Sequence, residues 1–190
     1  MTRTVGLVLV AALFLGSNAL AKPGDPPAPT QVFVTVDGLA GESTTKGHEG
    51  QIEAFNFSET WRQTATTGGG TGGGAGKATL GPVVFDKVQG VGSVRLLKAL
   101  LAGRIIAKVI LDFGQGTDGR SPTTYRITLL NVIVVGLNQA STADGTLVDE
   151  VQLTFDSATW EVFDPSDSTG FDGATGRVNV TAPTGGRSSR

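Results

Sequence analysis

The chain has 190 residues, a formal net charge of −2 and no cysteine. Mild acidity without a basic cluster gives no reason to expect nucleic acid or an anionic membrane surface as a partner. Because disulfides are excluded, an exported chain of this kind must be held together by its core or by self-association.

The first 21 residues have the three parts of a secretory signal peptide. Arg3 supplies a positive charge, residues 5–15 form an apolar run, and Ala19-Leu20-Ala21 is the small-x-small pattern that signal peptidase accepts. The apolar run is too short for a membrane-spanning helix, which needs about 20 residues. We expect cleavage before Lys22 and a secreted or periplasmic protein with no integral membrane segment. An uncleaved N-terminal anchor is the alternative.

Residues 22–30 are proline-rich and predict an exposed linker. Alternating apolar positions then predict a series of strands within a domain spanning residues 31–163. The predicted strands are 31–37, 51–60, 78–87, 105–113, 124–135 and a final region, 147–163, with a β-bulge at Asp156-Ser157.

Three further segments interrupt or follow these strands. The loop 38–50 is polar and punctuated by glycine, and the glycine-rich stretch 67–76 is typical of a mobile hairpin tip. Residues 164–190 are rich in Asp, Gly, Ser and Thr and predict a loosely ordered tail. Within that tail, Arg177–Thr181 is compatible with a short edge strand.

One segment, 92–103, has helical rather than strand periodicity. Ser93 is a good N-cap residue, and Gly103 stands where a glycine commonly follows a helix. Apolar residues at spacings of three and four predict the face that packs against the sheet: Val94, Leu97, Leu100 and Leu101. Long strands with a single helix predict a mostly β protein, either an antiparallel sandwich or a barrel.

Candidate catalytic and metal-binding residues lack the partners that their chemistry needs. His48 is the only histidine, and with no cysteine it cannot complete an ordinary zinc site, so we assign it a structural or interface role. The segment 71–78 lacks the first glycine and the hydroxyl residue of a phosphate-binding loop. The acidic residues of the tail do not follow calcium-loop spacing. We expect Trp61, Trp160 and Tyr125 in the core or at an interface.

Four motifs, in order along the chain, resemble the Hcp family, the tube-forming proteins of the type VI secretion system. The first is VFVTVDGLAGESTTKGHEGQIEAFNFSETW at 32–61, and the second is the helix SVRLLKA at 93–99. The third is the strand YRITLLNV at 125–132, and the fourth is EVQLTF at 150–155 followed by Trp160. The resemblance covers roughly residues 31–163.

The resemblance implies a compact antiparallel β-barrel of two sheets with one packed α-helix. It also implies hexameric rings that stack into a hollow tube and carry effector proteins in the lumen. By this resemblance the loop 38–50 reaches a neighbouring ring. The residues that it places at this ring-stacking interface are Gly38, Gly41, Glu42, Ser43 and His48.

These observations predict a structural, self-assembling protein that needs no cofactor and is not an enzyme. Its expected partners are copies of itself, as a homohexamer, together with secretion-apparatus or effector proteins. Two alternatives remain at this stage. One is an exported monomeric protein-binding module on the same barrel, and the other is a hydrolase that uses a serine with His48.

Overall fold

The computed structural model describes residues 30–66, 74–115, 123–163 and 174–181. The expected signal peptide and proline-rich linker lie outside these ranges, apart from Thr30. Most of the glycine-rich segment 67–76 and of the tail 164–190 also lies outside them.

Ten strands and one helix are present in the described ranges. In chain order they are β1 Thr30–Val36, β2 Ile52–Ser58, β3 Trp61–Thr66, β4 Gly74–Leu80, β5 Val83–Val88, α1 Val91–Leu101, β6 Ile106–Gln115, β7 Thr123–Ser141, β8 Leu147–Thr154, β9 Ser157–Phe163 and β10 Ala174–Thr181. The predicted mostly β class with a single helix is confirmed.

Six of the strands close into an antiparallel barrel. Their order is β7-β6-β1-β2-β5-β8, and β8 pairs again with β7. β7 closes the circle because it is 19 residues long. Its first half pairs with β6, and its second half pairs with β8 through a register shift between Val134 and Gly136. Closure leaves few free strand edges on these six strands.

Alternating apolar residues from all six strands fill the barrel. Val34 of β1 lies opposite Leu111 of β6, and both side chains are fully buried. Phe85 of β5 lies opposite Val151 of β8 in the same core. Full burial of side chains of this size stabilises a fold by about 1.5–3 kcal/mol each.

The helix lies where it was predicted, but its N-cap is not Ser93 and its packing face is not the predicted one. Its N-cap is Gly90, and Ser93 lies in the first turn, where its Oγ accepts the backbone N–H of Gly90 at 2.9 Å. Gly103 follows the C-cap with a φ of +56°, as expected.

The residues of α1 that face the core are Leu96 and Ala99, whereas Val94 is 69% exposed and Leu101 is 76% exposed. The predicted face was therefore wrong for Val94, Leu97 and Leu101, whereas Leu100 is partly buried against the core. The buried face of α1 and its exposed face both carry apolar residues, so helical periodicity could not show which face packs against the core. The choice follows Ser93, whose hydroxyl turns inward to a buried lysine of β5 described below.

One predicted strand is shorter than expected, and another is divided in two. The stretch 51–60 ends as β2 at Ser58, and the stretch 78–87 is divided at Gly81-Pro82. Pro82 has no N–H to continue a ladder, and the N–H of Gly81 donates to the Thr60 carbonyl at 2.8 Å. β3 and β4 therefore leave the barrel as a separate two-stranded hairpin.

The chain changes sheets at Asp156 rather than forming the predicted bulge within one strand. β8 ends at Thr154, and β9 begins at Ser157 and pairs with the first half of β7. Residues 174–181 form β10, which pairs with β9. The edge-strand alternative for Arg177–Thr181 is thus confirmed, and this part of the expected loose tail is ordered.

Candidate interface at the helix end of the barrel

The loop between β1 and β2 begins with two glycines that have different structural roles. Gly38 has a φ of +69° in the turn that follows β1, a conformation that favours glycine. Gly41 needs space instead, since an added Cβ would lie 2.2 Å from the backbone oxygen of Gln51. The two arms of the loop are joined there, because the Gly41 N–H donates to the Gly50 carbonyl at 2.6 Å.

Glu42 attaches the loop to the barrel and to the start of the helix. Its Oε1 lies 2.8 Å from Nζ of Lys87, and its Oε2 accepts the backbone N–H of Gly92 at 3.1 Å. A carboxylate at a helix N-terminus also interacts favourably with the helix dipole. One side chain thereby links loop, strand and helix.

Lys87 is fully buried, with 0% of its side chain exposed. Its ammonium donates to the Val88 carbonyl at 2.6 Å and to Ser93 Oγ at 3.0 Å, in addition to its contact with Glu42. All three N–H donors therefore have partners, as burial of a charge requires. The loop, β5 and α1 meet at this one nitrogen atom.

Ser43 is buried and braces the loop against β2. Its Oγ donates to Glu53 Oε1 at 2.7 Å, and Thr45 Oγ1 donates to the same oxygen at 2.9 Å. The Ser43 N–H also donates to the Gln51 carbonyl at 2.9 Å.

His48 folds the far side of the loop back over β1. Its ring stacks on Phe33 with centroids 3.8 Å apart and planes 8° from parallel. Its Nδ1 lies 2.7 Å from Gln51 Oε1, and Gln51 Nε2 donates to Thr35 Oγ1 at 2.9 Å. Phe33 points away from the core yet is only 4% exposed, because the loop covers it.

All five predicted residues lie in the loop between β1 and β2, and Glu42, Ser43 and His48 bond within the chain. The residues exposed at the tip are their neighbours: Thr44, Lys46, Gly47 and Glu49. Beside the loop lies a groove of about 490 Å³ whose lining includes Glu42, Glu53 and Phe55.

Sequence reasoning missed the two buried charged residues at this end. Lys87 of β5 and Asp149 of β8 are register partners, and each is 0% exposed. Asp149 Oδ1 accepts Gln139 Nε2 at 3.0 Å, while Oδ2 has no hydrogen-bond partner among the described residues. The only sequence feature that could have identified them is their position, since both residues fall on the inward-facing side in the alternation of β5 and β8.

The opposite end of the barrel is aromatic. Trp61 packs on Trp160 with ring centroids 4.4 Å apart, and Phe113 contacts both Phe57 and Tyr125. Trp160 is buried as expected, whereas Trp61 is 47% exposed.

A carboxylate lies among these rings. Trp160 Nε1 donates to the two oxygens of Glu59 at 3.0 and 3.3 Å. Burial raises the pKa of Glu59, and the Trp160 hydrogen bond opposes that rise. Burial also raises the pKa of Tyr125, and the nearby charge of Glu59 raises it further.

No cluster of three metal-ligating side chains is found in the described ranges. A search of the same ranges for a helix long and apolar enough to cross a membrane also finds none.

A family model described as "Type VI secretion system effector, Hcp" matches residues 33–162. The match includes the loop, α1 and nearly the whole barrel. The chain therefore belongs to the Hcp family.

Solved Hcp structures share the fold. Hcp1 from Salmonella typhimurium is 22% identical, with a TM-score of 0.62 over 80% of this chain and 92% of that chain. A structure described as a type six secretion system protein has a TM-score of 0.68 at 21% identity, covering 80% of this chain and 94% of its own. "Secreted protein Hcp3 from Pseudomonas aeruginosa" has a TM-score of 0.54 at 20% identity, covering 82% and 100%. No curated protein sequence matches the chain.

Proposed function

We propose that the chain is a structural protein that assembles into hexameric rings and acts as a type VI secretion tube component or as a carrier of small cargo proteins. Family membership supports this proposal. The observation that carries it is the loop 38–50, which is fixed at its base and exposed at its tip.

The loop has the properties that a stacking contact needs. Glu42, Ser43 and His48 each anchor it to a different part of the barrel. A surface that is already ordered loses less conformational entropy when it binds. We propose that Gly38, Gly41, Glu42, Ser43 and His48 shape this surface and that the exposed tip makes the contact with a neighbouring ring.

Exposed apolar side chains support self-association. Val135 of β7 is 50% exposed in the single chain. Leu130 on the same strand is 43% exposed. Apolar surface of this kind is typical of a protein that binds another protein.

We propose that residues 1–21 direct export and are removed, so that the rings form in the periplasm or outside the cell. N-terminal sequencing of the exported protein tests this step. A mature chain that begins at Lys22 is expected, whereas a chain that retains residue 1 would support the uncleaved anchor.

Light scattering coupled to size-exclusion chromatography tests the assembly. Residues 22–190 should elute with about six times the mass of one chain, because the proposed assembly is a closed hexameric ring. A monomer at every concentration would contradict the ring and favour the exported binding module.

Deletion of Thr44–Gly47 tests the stacking site. The deletion should leave the barrel folded and the ring mass unchanged while weakening the stacking of rings seen by electron microscopy. Its matched control is a deletion of equal length in the exposed turn 142–145, which joins β7 to β8. Stacks that persist after deletion of the tip would contradict the assignment.

A further inference from the structure

The outward face of α1 is apolar and uncovered. Val91, Val94 and Leu101 are 59%, 69% and 76% exposed, and Leu97 lies between them at 37%. In the described ranges nothing packs over this face. We call these four residues the α1 face. A contiguous apolar patch of this kind marks an interaction site rather than ordinary surface.

A basic pocket of about 470 Å³ runs along the same helix, where α1 meets the turn that follows β1. Its lining includes Arg95, Lys98 and Arg104. Arg95 donates to the Ala40 carbonyl, and neither Lys98 nor Arg104 has an ion-pair partner in the described ranges. The α1 face and this pocket together form an apolar surface with a positive border.

The outer wall of the barrel carries the complementary surface. One row of outward residues crosses four strands in register, from β2 through β5 and β8 to β7. The row consists of Phe55, Asp86, Glu150 and Asn138. Phe55 is 36% exposed, so this acidic row also has an apolar part.

Two carboxylates stand directly opposite each other in the acidic row. Like charges in register on neighbouring strands destabilise a sheet. Asn56 donates to Asp86, and Asn138 and Gln152 donate to Glu150, each at 2.9 Å. These amide hydrogen bonds hold the pKa of Glu150 below its ordinary value, so it stays charged. In the described ranges, no cation lies within ion-pair distance of either carboxylate.

The two surfaces lie on different elements of the fold. Leu96 and Ala99 of α1 belong to the core, and the helix connects β5 to β6 and packs against β7. The acidic row lies on the side wall. Different patches that bind each other in successive copies make a head-to-tail contact, which can close into a ring.

We infer that the α1 face and its basic pocket bind the acidic row of a second copy of this chain. This inference rests on the self-association proposed above and identifies the surfaces that carry it. Lys98 and Arg104 would pair with Asp86 and Glu150 of the second copy, and the α1 face would cover Phe55. A second copy is the occupant that fits, because one chain carries both complementary charges and both apolar surfaces.

Reciprocal charge reversal tests the contact in the processed chain. The variant K98E/R104E makes both surfaces acidic, and the variant D86K/E150K makes both basic. Each alone should weaken assembly at least ~10-fold by light scattering, since like charges across an interface are strongly unfavourable. A 1:1 mixture should restore it, because each variant supplies the charge that the other lacks. Added salt should weaken wild-type assembly.

K108E and D156K are matched controls that reverse exposed charges outside both surfaces, and they should assemble as the wild type does. Circular dichroism melting verifies that each variant is folded. Wild-type assembly by either double variant overturns the inference but leaves the ring proposal intact. Loss of assembly that the mixture fails to restore also overturns it. A wild-type chain that is monomeric overturns the ring proposal itself.

Discussion

The two ends of the barrel are stabilised by different chemistry. At the helix end, the buried ammonium of Lys87 joins a surface loop, a strand and a helix through Glu42 and Ser93. At the aromatic end, Trp160 and its neighbours pack as rings around Glu59.

The two ends differ in which parts of the chain their contacts hold in position. The partner of the buried charge at the helix end is a residue of the loop, so the position of the loop is coupled to that of α1. The aromatic end packs β3 and β9 against each other without ordering a predicted contact surface. We therefore expect changes at the helix end to affect assembly and changes at the aromatic end to affect stability alone.

The largest expected effect is at the aromatic end. Trp160→Ala should lower the free energy of unfolding by ~3–5 kcal/mol, because it removes a buried aromatic side chain and leaves a cavity. Urea denaturation followed by circular dichroism measures this loss. Trp61→Ala is the matched control and should cost less than half as much, since Trp61 is half exposed. The fraction that remains folded should assemble normally, and a defect in assembly would contradict the proposed division between the ends.

The second effect is at the helix end. Glu42→Ala leaves Lys87 buried without its counter-ion and should cost ~2 kcal/mol, less than a fully buried pair because Glu42 is partly exposed. It should also weaken assembly by releasing the loop and the first turn of α1.

The matched variants are Lys87→Met and the double variant E42A/K87M, which complete a double-mutant cycle with Glu42→Ala. The double variant should recover part of the stability lost in Glu42→Ala, since the buried ammonium is gone and only Asp149 remains as a buried charge beside it. It should not recover the assembly. A double-mutant cycle measures the coupling between the two residues. Additive effects would show that the pair does not connect the loop to the barrel.

His48→Ala should have a smaller effect, ~1 kcal/mol, from loss of its stacking on Phe33. His48→Phe keeps the stack and removes the contact with Gln51, so it should retain most of the stability. Hydrogen exchange of the amides of residues 44–50 should rise in the first variant and change little in the second. Equal exchange in the two variants would show that stacking does not order the loop.

The smallest effect concerns Glu59 and pH. Because burial raises its pKa in the folded chain, the folded state holds the proton more tightly than the unfolded state, whose value is near 4.5. This stabilisation is complete below pH 4.5 and is lost as the pH rises through the folded pKa. Glu59→Gln should remove this pH dependence and change stability by less than ~1 kcal/mol, because the carboxyl is half exposed. An unchanged pH profile in the variant would contradict the assignment.

Much of the barrel was predictable because strand alternation reports directly on burial. Val32, Val34 and Val36 lie in one phase, and all three are buried. The loop was predictable from its glycines and polar residues. The anchoring partners of Glu42, Ser43 and His48 were not, because they are supplied by strands elsewhere in the sequence.

The packing face of α1 was not predictable. Val94 and Leu96 are both apolar, and only the position of buried Lys87 turns Ser93 and Leu96 inward. The division of the stretch 78–87 could have been foreseen at Pro82, which cannot donate to a ladder. Contacts between residues far apart in the sequence therefore cannot be predicted from the local pattern of apolar and polar residues.

Electron microscopy of the processed chain tests the central claim most directly. Rings with sixfold symmetry and a central hole are expected, and they should be fewer in the Glu42→Ala variant but not in Trp61→Ala. Particles the size of a single barrel, or compact dimers without a hole, would contradict the claim.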